Sequence, residues 1–195
     1  MHGTIQNPDK FVWGREELEF VGFWLTKDGV RPTDDTLRAI KEFPRPADIT
    51  GVRSWFGLIE QVAFAFSKTA LMEPFRGLLK AKSVFAWTDE LQTAFDVAKE
   101  EICNLVVAGV RAFVIGAYLC LITDWSRTGV GYVLWQKGCN CKTIHPSCCK
   151  SGWFIVAVGS RFCTPAESRY APIEGELLGV SWALFKTSHF TLGCP

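Results

Sequence analysis

The chain carries almost no net charge. Its 195 residues include 21 Lys and Arg against 20 Asp and Glu, which leaves a formal net charge of +1 with neutral histidines. Strongly basic proteins attract nucleic acid over their whole surface, because phosphate contacts dominate that affinity. The near-neutral balance excludes such a global attraction. Any nucleic-acid partner would have to meet local basic patches.

Long apolar runs are also lacking. The longest, residues 112–122, is shorter than the roughly 20 residues that a membrane-spanning helix needs. The first ten residues, MHGTIQNPDK, contain no apolar core of a secretory signal. We therefore expect an intracellular, cytoplasmic protein with no membrane partner. In that compartment the eight cysteines are expected to be reduced thiols and not a disulfide framework.

The motifs of two common enzyme classes are missing. The chain has only three histidines, and no serine sits in a nucleophile elbow, so a Ser-His-Asp triad is not indicated. The glycine-containing TGVGYV lies between two predicted strands and does not precede a helix, which excludes a phosphate-binding loop.

The first half of the chain predicts a small sheet followed by helices. KFVWG and EFVGFWLT are aromatic and β-branched, and they predict a hairpin or small meander that ends near Pro32. Helical spacing and capping residues then predict helices over 33–43, 48–67 and 88–106, with Thr33, Asp48 or Thr50, and Thr88 as N-caps. A boundary is expected near Gly109.

The second half predicts a βββα unit. FVIGAYLCLIT, GVGYVLWQ and WFIVAVGSRF read as strands, and the first two are expected to pair as an antiparallel hairpin through the short connection at Gly129. An amphipathic helix follows, with its buried side expected at Ile173, Leu177, Val180 and Leu184. With a composition that is 48% hydrophobic and 21% charged, the expected fold class is globular α/β in the broad sense (α+β).

Two carboxylates are candidate metal ligands. Asp124 ends the first of these strands, where an ionised group in an apolar setting is costly unless something pairs with it. Glu176 shares a helix face with Gly179 and Ala183, small residues that would let the helix lie close to the sheet and bring Glu176 towards the strand end. Two converging carboxylates would begin an oxygen-ligand site for Mg²⁺. The alternative is that Asp124 merely starts a turn and Glu176 is a solvated helix residue; Glu174 is a second candidate for the same role.

A cysteine-rich loop is a candidate zinc site. GCNCKTIHPSCC places zinc-compatible ligand types within one loop, namely Cys139, Cys141, His145, Cys148 and Cys149. The spacing is not that of a paired C-x₂-C knuckle, and adjacent cysteines rarely both bind one ion comfortably. Reactive or incidental thiols are the alternative interpretation.

The second predicted helix is a candidate nucleic-acid contact. Arg53, Trp55, Phe56 and Gly57 lie on it, and a helix with a glycine and aromatic residues could follow a duplex minor groove while basic residues contact phosphate. The alternative is that aromatic residues at this spacing belong to the core.

Five segments in order resemble the reverse transcriptase–ribonuclease H polyprotein of gypsy-type LTR retrotransposons. They are NPDKFVWGREELEFVGFWLTKDGVRPT, FPRPADITGVRSWFGLIEQVAFAFS, FAWTDELQTAF, LITDWSRTGVGYVLWQK and GSRFCTPAESRYAPIEGELLGVSWAL. The resemblance implies that residues 1–32 form the end of the polymerase palm with a primer-grip-like hairpin. It implies that 33–108 form a helical thumb-like segment and the connection, and that 109–195 form the N-terminal half of a ribonuclease H-like domain.

The resemblance also implies functional roles. Asp124 matches the first metal-binding aspartate of ribonuclease H, and Glu176 matches the glutamate of its first helix, although Gly179 stands where the family more often has alanine. Arg53, Trp55, Phe56 and Gly57 would contact a template–primer duplex or an RNA–DNA hybrid. The intact enzyme, in a retrotransposon virus-like particle, would synthesise DNA on RNA and use Mg²⁺ to hydrolyse the RNA strand of hybrids.

Both active sites implied by the resemblance are incomplete in this chain. The aspartate pair of the palm would lie upstream, and the remaining acidic ligands of ribonuclease H would lie beyond Pro195. We therefore expect the chain alone to be inactive, with the missing palm and the C-terminal part of ribonuclease H as its partners in the polyprotein. The alternatives are a non-catalytic nucleic-acid-binding or scaffolding protein derived from the element, and a zinc-stabilised interaction domain.

Overall fold

The computed structural model describes residues 11–80, 83–149 and 151–192. Its strands and helices in chain order are β1 (Glu17–Phe20), β2 (Phe23–Thr26), β3 (Gly29–Pro32), α1 (Asp34–Lys41), α2 (Ile49–Val62), α3 (Thr69–Arg76), α4 (Asp89–Val106), β4 (Val110–Arg111), β5 (Leu119–Trp125), β6 (Gly129–Lys137), β7 (Trp153–Phe162), α5 (Pro172–Lys186) and α6 (Ser188–Thr191). Within these ranges, no helix combines the length and the apolar composition that a bilayer span needs.

The first sheet is antiparallel and runs in the order β1-β2-β3-β4. The predicted meander up to Pro32 is confirmed, but the predicted strand KFVWG is wrong for residues 11–14, which belong to no strand. The unpredicted strand β4 returns after α4 and places Val110 opposite Val30. Gly109 makes this return possible: its φ is +64°, and a Cβ there would lie 2.0 Å from the carbonyl oxygen of Val30.

The helices begin where the sequence predicts. The side chains of Thr33, Asp48 and Thr88 accept hydrogen bonds from the backbone N–H groups three residues on, at 3.3, 2.7 and 3.3 Å. These bonds satisfy donors that a helix start otherwise leaves unpaired. Helix α2 ends at Val62 and not at residue 67 as predicted. The chain turns there because the carbonyl of Phe64 accepts a hydrogen bond from the N–H of Val158 in β7 (3.1 Å).

The core of the helical part is aromatic. Trp55 is 0% exposed and lies 5.3 Å from the ring of Phe43 and 4.9 Å from that of Phe95. Phe75 and Trp87 complete the group, each within about 6 Å of the Phe95 ring. The unpredicted helix α3 supplies Phe75. Trp55 therefore packs the core.

The second sheet has the order β5-β6-β7 and is antiparallel, and α5 packs against it, so the predicted βββα unit is confirmed. Strand β5 begins at Leu119 and not near Phe113 as predicted, since Gly116 turns the chain with a φ of +84°. Among the described residues, no strand pairs with the outer edge of β5.

The predicted buried side of α5 is wrong. Each of the four apolar residues expected there, Ile173, Leu177, Val180 and Leu184, is at least 42% exposed. The helix instead packs through Gly175, Gly179 and Ala183. Residues four apart form one stripe, and a stripe without large side chains lets the helix backbone approach the strand. The four apolar residues named above consequently face away from the sheet.

Polar contacts join the two parts of the chain. The hydroxyl of Ser160 in β7 accepts from the backbone N–H of Lys68 (2.9 Å), and Arg76 donates to the carbonyl of Cys163 (2.8 Å). The buried amide of Gln136 bonds the connection between β4 and β5, accepting from Val114 N–H (2.9 Å) and donating to the carbonyl of Ala112 (2.6 Å). The helical segment and the second sheet are therefore directly packed.

Candidate functional site

Asp124 lies one residue before the end of β5, opposite Gly131 of β6. A Cβ on Gly175 of α5 would meet the ring of Trp125, and a Cβ on Gly179 would lie 3.9 Å from the Cβ of Thr123. Thr123 and Trp125 thus face α5. Because side chains alternate along a strand, Asp124 faces the other side, where it lines a groove of about 240 Å³ together with Ser67 and Thr69.

The turn after Asp124 is built by a different residue. The hydroxyl of Ser126 accepts from the N–H groups of Thr128 (3.3 Å) and Gly129 (3.1 Å). The carboxylate of Asp124 is exposed and makes no hydrogen bond or ion pair with any described residue. The alternative interpretation, in which Asp124 starts the turn, is therefore wrong, because Ser126 makes the hydrogen bonds of the turn.

Glu176 lies on α5 beside the stripe of small residues. On the other flank of that stripe, Trp182 packs against Tyr132 of β6 (5.4 Å between centroids) and under the guanidinium of Arg161 of β7 (5.5 Å). That flank covers β6 and β7, so the flank with Glu176 lies towards the edge of β5 that faces away from β6. Glu176 is exposed and, like Asp124, has no polar partner in the described part of the chain.

The backbone at the end of β5 lies close to the backbone of α5. A Cβ on Gly179 would lie 3.7 Å from the carbonyl oxygen of Asp124, so the helical turn that carries Glu176 adjoins the end of β5. The structure therefore brings the two backbones together, but it directs the side chain of Asp124 to the face away from α5. Within the described residues, no third Asp, Glu, His or Cys joins these two side chains in a three-ligand group. Glu174, the second candidate, is engaged elsewhere: its Oε2 accepts from the N–H of Ala171 (2.9 Å) and caps α5.

The four residues of α2 that were predicted to contact nucleic acid differ in their exposure to solvent. Trp55 is wrong as a duplex contact, because its side chain is fully buried. Phe56 is half-buried and packs against the same core. Arg53 and Gly57, four residues apart on one face, are exposed. A Cβ on Gly57 would have no heavy atom within 4 Å outside the helix's own backbone.

A second cleft, of about 450 Å³, was not found from the sequence. It lies between the end of α2, the start of α3, the second sheet and α5, and its lining includes Lys68, Tyr132, Arg161, Trp182 and Lys186. Basic and aromatic side chains in a concave surface suit a nucleic-acid strand. These residues are far apart in sequence, so no local pattern reveals the cleft.

Arg161 is held in place by an acid. Glu167 accepts two hydrogen bonds from its guanidinium, at 2.8 and 2.9 Å. These bonds, with a further one from the N–H of Thr164 (2.8 Å), lower the pKa of Glu167 to about 2. Lys68 is paired as well, with Glu60 of α2.

The cysteine loop between β6 and β7 brings four sulfur atoms together. The Sγ atoms of Cys139, Cys141, Cys148 and Cys149 all lie within 4.8 Å of one another. His145 is not in this group; its Nδ1 lies 2.7 Å from the hydroxyl of Ser147 and 3.2 Å from the N–H of the same residue.

Two thiols of the group have shifted pKa values in opposite directions. A hydrogen bond from the Cys141 backbone lowers the pKa of Cys139 to about 7. The neighbouring Cys139 sulfur raises the pKa of Cys141 to about 12.

Comparison with known proteins shows that the chain is similar to Pol polyproteins of transposons. Over 95% of its length the chain is 28% identical to the retrovirus-related Pol polyprotein from transposon gypsy of Drosophila melanogaster, of which it covers 18%. It is 27% identical, over 96% of its length, to the Pol polyprotein from transposon 412 of the same species, and covers 14% of it. The chain thus spans less than a fifth of these relatives.

Solved structures share the fold. The foamy viral protease-reverse transcriptase in complex with RNA/DNA hybrid superposes with a TM-score of 0.73 at 19% identity, over 93% of this chain and 23% of that one. The same protein in complex with dsDNA gives a TM-score of 0.71, over 93% of this chain and 36% of that one. Residues 87–195, more than half of the chain, match the family described as the RNase H-like domain found in reverse transcriptase. The chain therefore belongs to the RNase H-like reverse transcriptase domain family of retrotransposon Pol polyproteins.

Proposed function

We propose that this chain is the part of a retrotransposon reverse transcriptase that holds a template–primer duplex or an RNA–DNA hybrid and carries the first two metal ligands of ribonuclease H. In the intact enzyme it would serve RNA-directed DNA synthesis and hydrolysis of RNA in hybrids. The observation that carries the proposal is the glycine at the exposed centre of α2.

Gly57 has no reason within the protein to be a glycine. It is exposed and helical, and nothing in the structure crowds the position where a Cβ would be. Glycine inside a helix costs about 1 kcal/mol relative to alanine. A glycine that the fold does not need is explained when an external surface, such as a duplex backbone, approaches the helix closely.

The neighbours of Gly57 suit such a surface. Arg53, one turn earlier on the same face, is exposed and has no acidic partner in the described ranges, so its charge is available for a phosphate. Ser54 is also exposed on this face, with its hydroxyl turned to the carbonyl of Thr50 (3.0 Å). Between Arg53 and Gly57 the face is polar, and only Arg53 carries a large side chain there, which suits a helix that lies along a minor groove.

The basic and aromatic cleft would continue this surface towards Asp124 and Glu176. Glu60 of α2 lines the cleft at one side and Lys186 of α5 at another, which joins the α2 face to the βββα unit. The complexes of the foamy viral enzyme with hybrid and with dsDNA support a nucleic-acid partner for a chain of the same fold.

Asp124 and Glu176 would hold Mg²⁺. Both are unpaired carboxylates, which fits the oxygen ligands that this ion prefers, but a complete site needs more ligands than two. When bound in such sites, Mg²⁺ activates the attacking water and stabilises the leaving oxygen. The two carboxylates would hold the ion at the end of β5, and Asp124 would have to turn from its groove towards α5 to share it with Glu176. We propose that this chain alone does not turn over, and that the rest of Pol supplies the missing ligands.

The exposed hairpin β1–β2 would hold the primer terminus. Its turn presents Phe20 and Val21, which are 60% and 75% exposed, and Val21 has a φ of +50°. A β-branched residue in this conformation is rare and strained, and such strain is common at sites that contact a ligand.

We also propose that the intact enzyme lies in the cytoplasm, within a virus-like particle.

A non-catalytic binding or scaffolding role is the second candidate. The exposed apolar residues of α5 favour it, because apolar side chains grouped on one helix face commonly mark a surface on which another protein packs. The two candidates differ in whether Asp124 matters for Pol activity.

Binding to an RNA–DNA hybrid tests the proposal. Fluorescence anisotropy across a salt series should give an affinity that falls as salt rises, since phosphate contacts release counterions. Arg53→Ala should weaken binding and reduce the slope of log K against log salt by about 0.7 to 0.9, one phosphate contact. Arg38→Ala, on α1 and paired with Asp35, is the matched control and should bind as the parent does. Equal binding by both variants would refute the role of α2.

A further inference from the structure

The four clustered cysteines have the geometry of a metal centre. The Sγ atoms of Cys139 and Cys148 are 3.4 Å apart, those of Cys148 and Cys149 are 4.0 Å apart, and all four lie within 4.8 Å of one another. A tetrahedral zinc ion with Zn–S bonds of about 2.3 Å places its sulfur ligands about 3.8 Å from each other. A disulfide needs about 2.05 Å. We propose that Cys139, Cys141, Cys148 and Cys149 bind one Zn²⁺ as a closed structural site.

Gly152 lies against the sulfur cluster, where a larger residue would not fit. A Cβ on Gly152 would lie 2.3 Å from the Sγ of Cys149 and 2.6 Å from that of Cys139. Its φ is outside the left-handed range that favours glycine, so any residue could adopt the backbone conformation. The three atoms that a Cβ would meet first, among the described residues, all belong to Cys139 and Cys149, so it is the cluster that requires a glycine here.

The ligands come from both ends of the loop. Cys139 and Cys141 follow β6, while Cys148 and Cys149 precede β7, and the N–H of Gly138 donates to the carbonyl of Gly152 (2.8 Å) at the base. A hydrogen bond from the N–H of Cys148 to the carbonyl of His145 (2.9 Å) forms the turn that presents the adjacent cysteines. The adjacent pair, which sequence spacing argued against, therefore reaches one centre.

The charge of the surroundings fits. Four thiolates and one Zn²⁺ carry a net charge of −2, and the ammonium group of Lys137 hydrogen-bonds the carbonyl of Cys141. Lys142 follows Cys141 directly. A cationic group close to the ligands offsets part of this charge, which lowers the cost of deprotonating four thiols at one point.

Zinc is the ion that fits the four cysteine sulfurs best. Four sulfur ligands in a tetrahedron are typical of zinc or iron–sulfur centres. A cluster with several iron atoms holds its cysteine sulfurs around a larger body, whereas these four sulfurs all lie within 4.8 Å of one another. The ion would tie the far ends of β6 and β7 together and stiffen the loop of residues 138–152, away from the proposed nucleic-acid surface.

Metal analysis of the full 195-residue chain tests the site. Protein purified under reducing conditions should contain one zinc per chain, and zinc replaced by Co²⁺ should give the intense thiolate-to-cobalt and d–d absorption of a tetrahedral sulfur site. The double change Cys148→Ser and Cys149→Ser should reduce zinc below about 0.1 per chain. Cys120→Ser, a thiol of β5 outside the group, is the matched control and should retain zinc.

A second variant avoids the question of misfolding. Gly152→Ala keeps every ligand and should lower zinc affinity at least about tenfold in competition with a chromophoric chelator, while Gly77→Ala, at an open position, should not change it. Zinc absent from the folded parent, iron in its place, a Cys139–Cys148 disulfide in the reduced preparation, or equal zinc in the serine variant would each overturn the proposal.

Discussion

Replacing Gly57 by alanine should change stability and nucleic-acid binding in opposite directions. The residue is helical, exposed and uncrowded, so alanine fits without strain and gains helix propensity. We expect the free energy of unfolding to rise by about 0.5–1 kcal/mol. In a chain of this size, each 1 kcal/mol raises Tm by about 2–4 °C.

Binding should weaken, because the added methyl group lies where the duplex would touch the helix backbone. Forcing a methyl group into a packed contact costs about 1–3 kcal/mol, which corresponds to roughly a fivefold to 150-fold loss of affinity. The assay is fluorescence anisotropy with an RNA–DNA hybrid at one fixed salt concentration, alongside thermal unfolding.

Gly77→Ala is the matched control. Gly77 also has helical backbone angles and open space around its Cα, but it lies outside α2. This variant should gain stability and bind the hybrid as the parent does. If Gly57→Ala is stabilised and still binds with unchanged affinity, then no surface approaches Gly57 closely and the reasoning about α2 fails.

Three further changes test the fold and its electrostatics. Trp55→Ala should lower the free energy of unfolding by about 3–5 kcal/mol in a denaturant titration, because it empties the centre of the aromatic core; a loss under 1 kcal/mol would return Trp55 to the surface. Val21→Asn should stabilise the chain by about 1 kcal/mol, since asparagine tolerates positive φ better than valine, and a decrease in Tm would contradict the turn geometry. The pKa of Glu167 is lowered from 4.5 to about 2, so its bonds with Arg161 contribute fully above pH about 4.5 and are lost as the pH falls towards 2. After allowance for solvent screening, we expect Glu167→Gln to remove about 1–2 kcal/mol at pH 7 and much less near pH 2, measured by urea unfolding at both values; an equal effect at both would contradict the ion pair.

Local signals predicted the helix starts well. Thr33, Asp48 and Thr88 cap helices because a short polar side chain bonds the nearest free N–H groups, and this chemistry needs no information from elsewhere in the chain. The strands β6 and β7 were predicted within a residue or two, since their long apolar runs end at glycine or polar residues. Strand β4 was missed because two residues carry no pattern, and only their pairing with β3 defines them.

Burial was harder to predict where a helix is apolar on most sides. In α5, periodicity selected the large apolar residues as the packed side, but close approach to β5 favours Gly175, Gly179 and Ala183. In α2, an exposed glycine and a buried tryptophan lie two residues apart, and only the position of Phe95 on α4 decides which side is core. The candidate ligands Asp124 and Glu176 followed from their positions at a strand end and beside small helix residues, and the resemblance then gave each of them a role.

The cysteine loop shows why spacing alone is insufficient for a metal centre. Its order, C-x-C followed by adjacent cysteines, matches no common zinc pattern. The pairing of β6 with β7 brings both ends of the loop together, and it leaves His145 bonded to Ser147 away from the sulfurs. That arrangement depends on register between strands, which a local motif does not contain.

The measurement that tests the account most directly is cleavage of a labelled RNA strand in an RNA–DNA hybrid by the 195-residue chain with Mg²⁺, beside Asp124→Asn. We expect hybrid that is bound but left intact by both proteins, because two carboxylates do not complete a two-metal site. Mg²⁺-dependent cleavage by the parent chain that Asp124→Asn abolishes would contradict it.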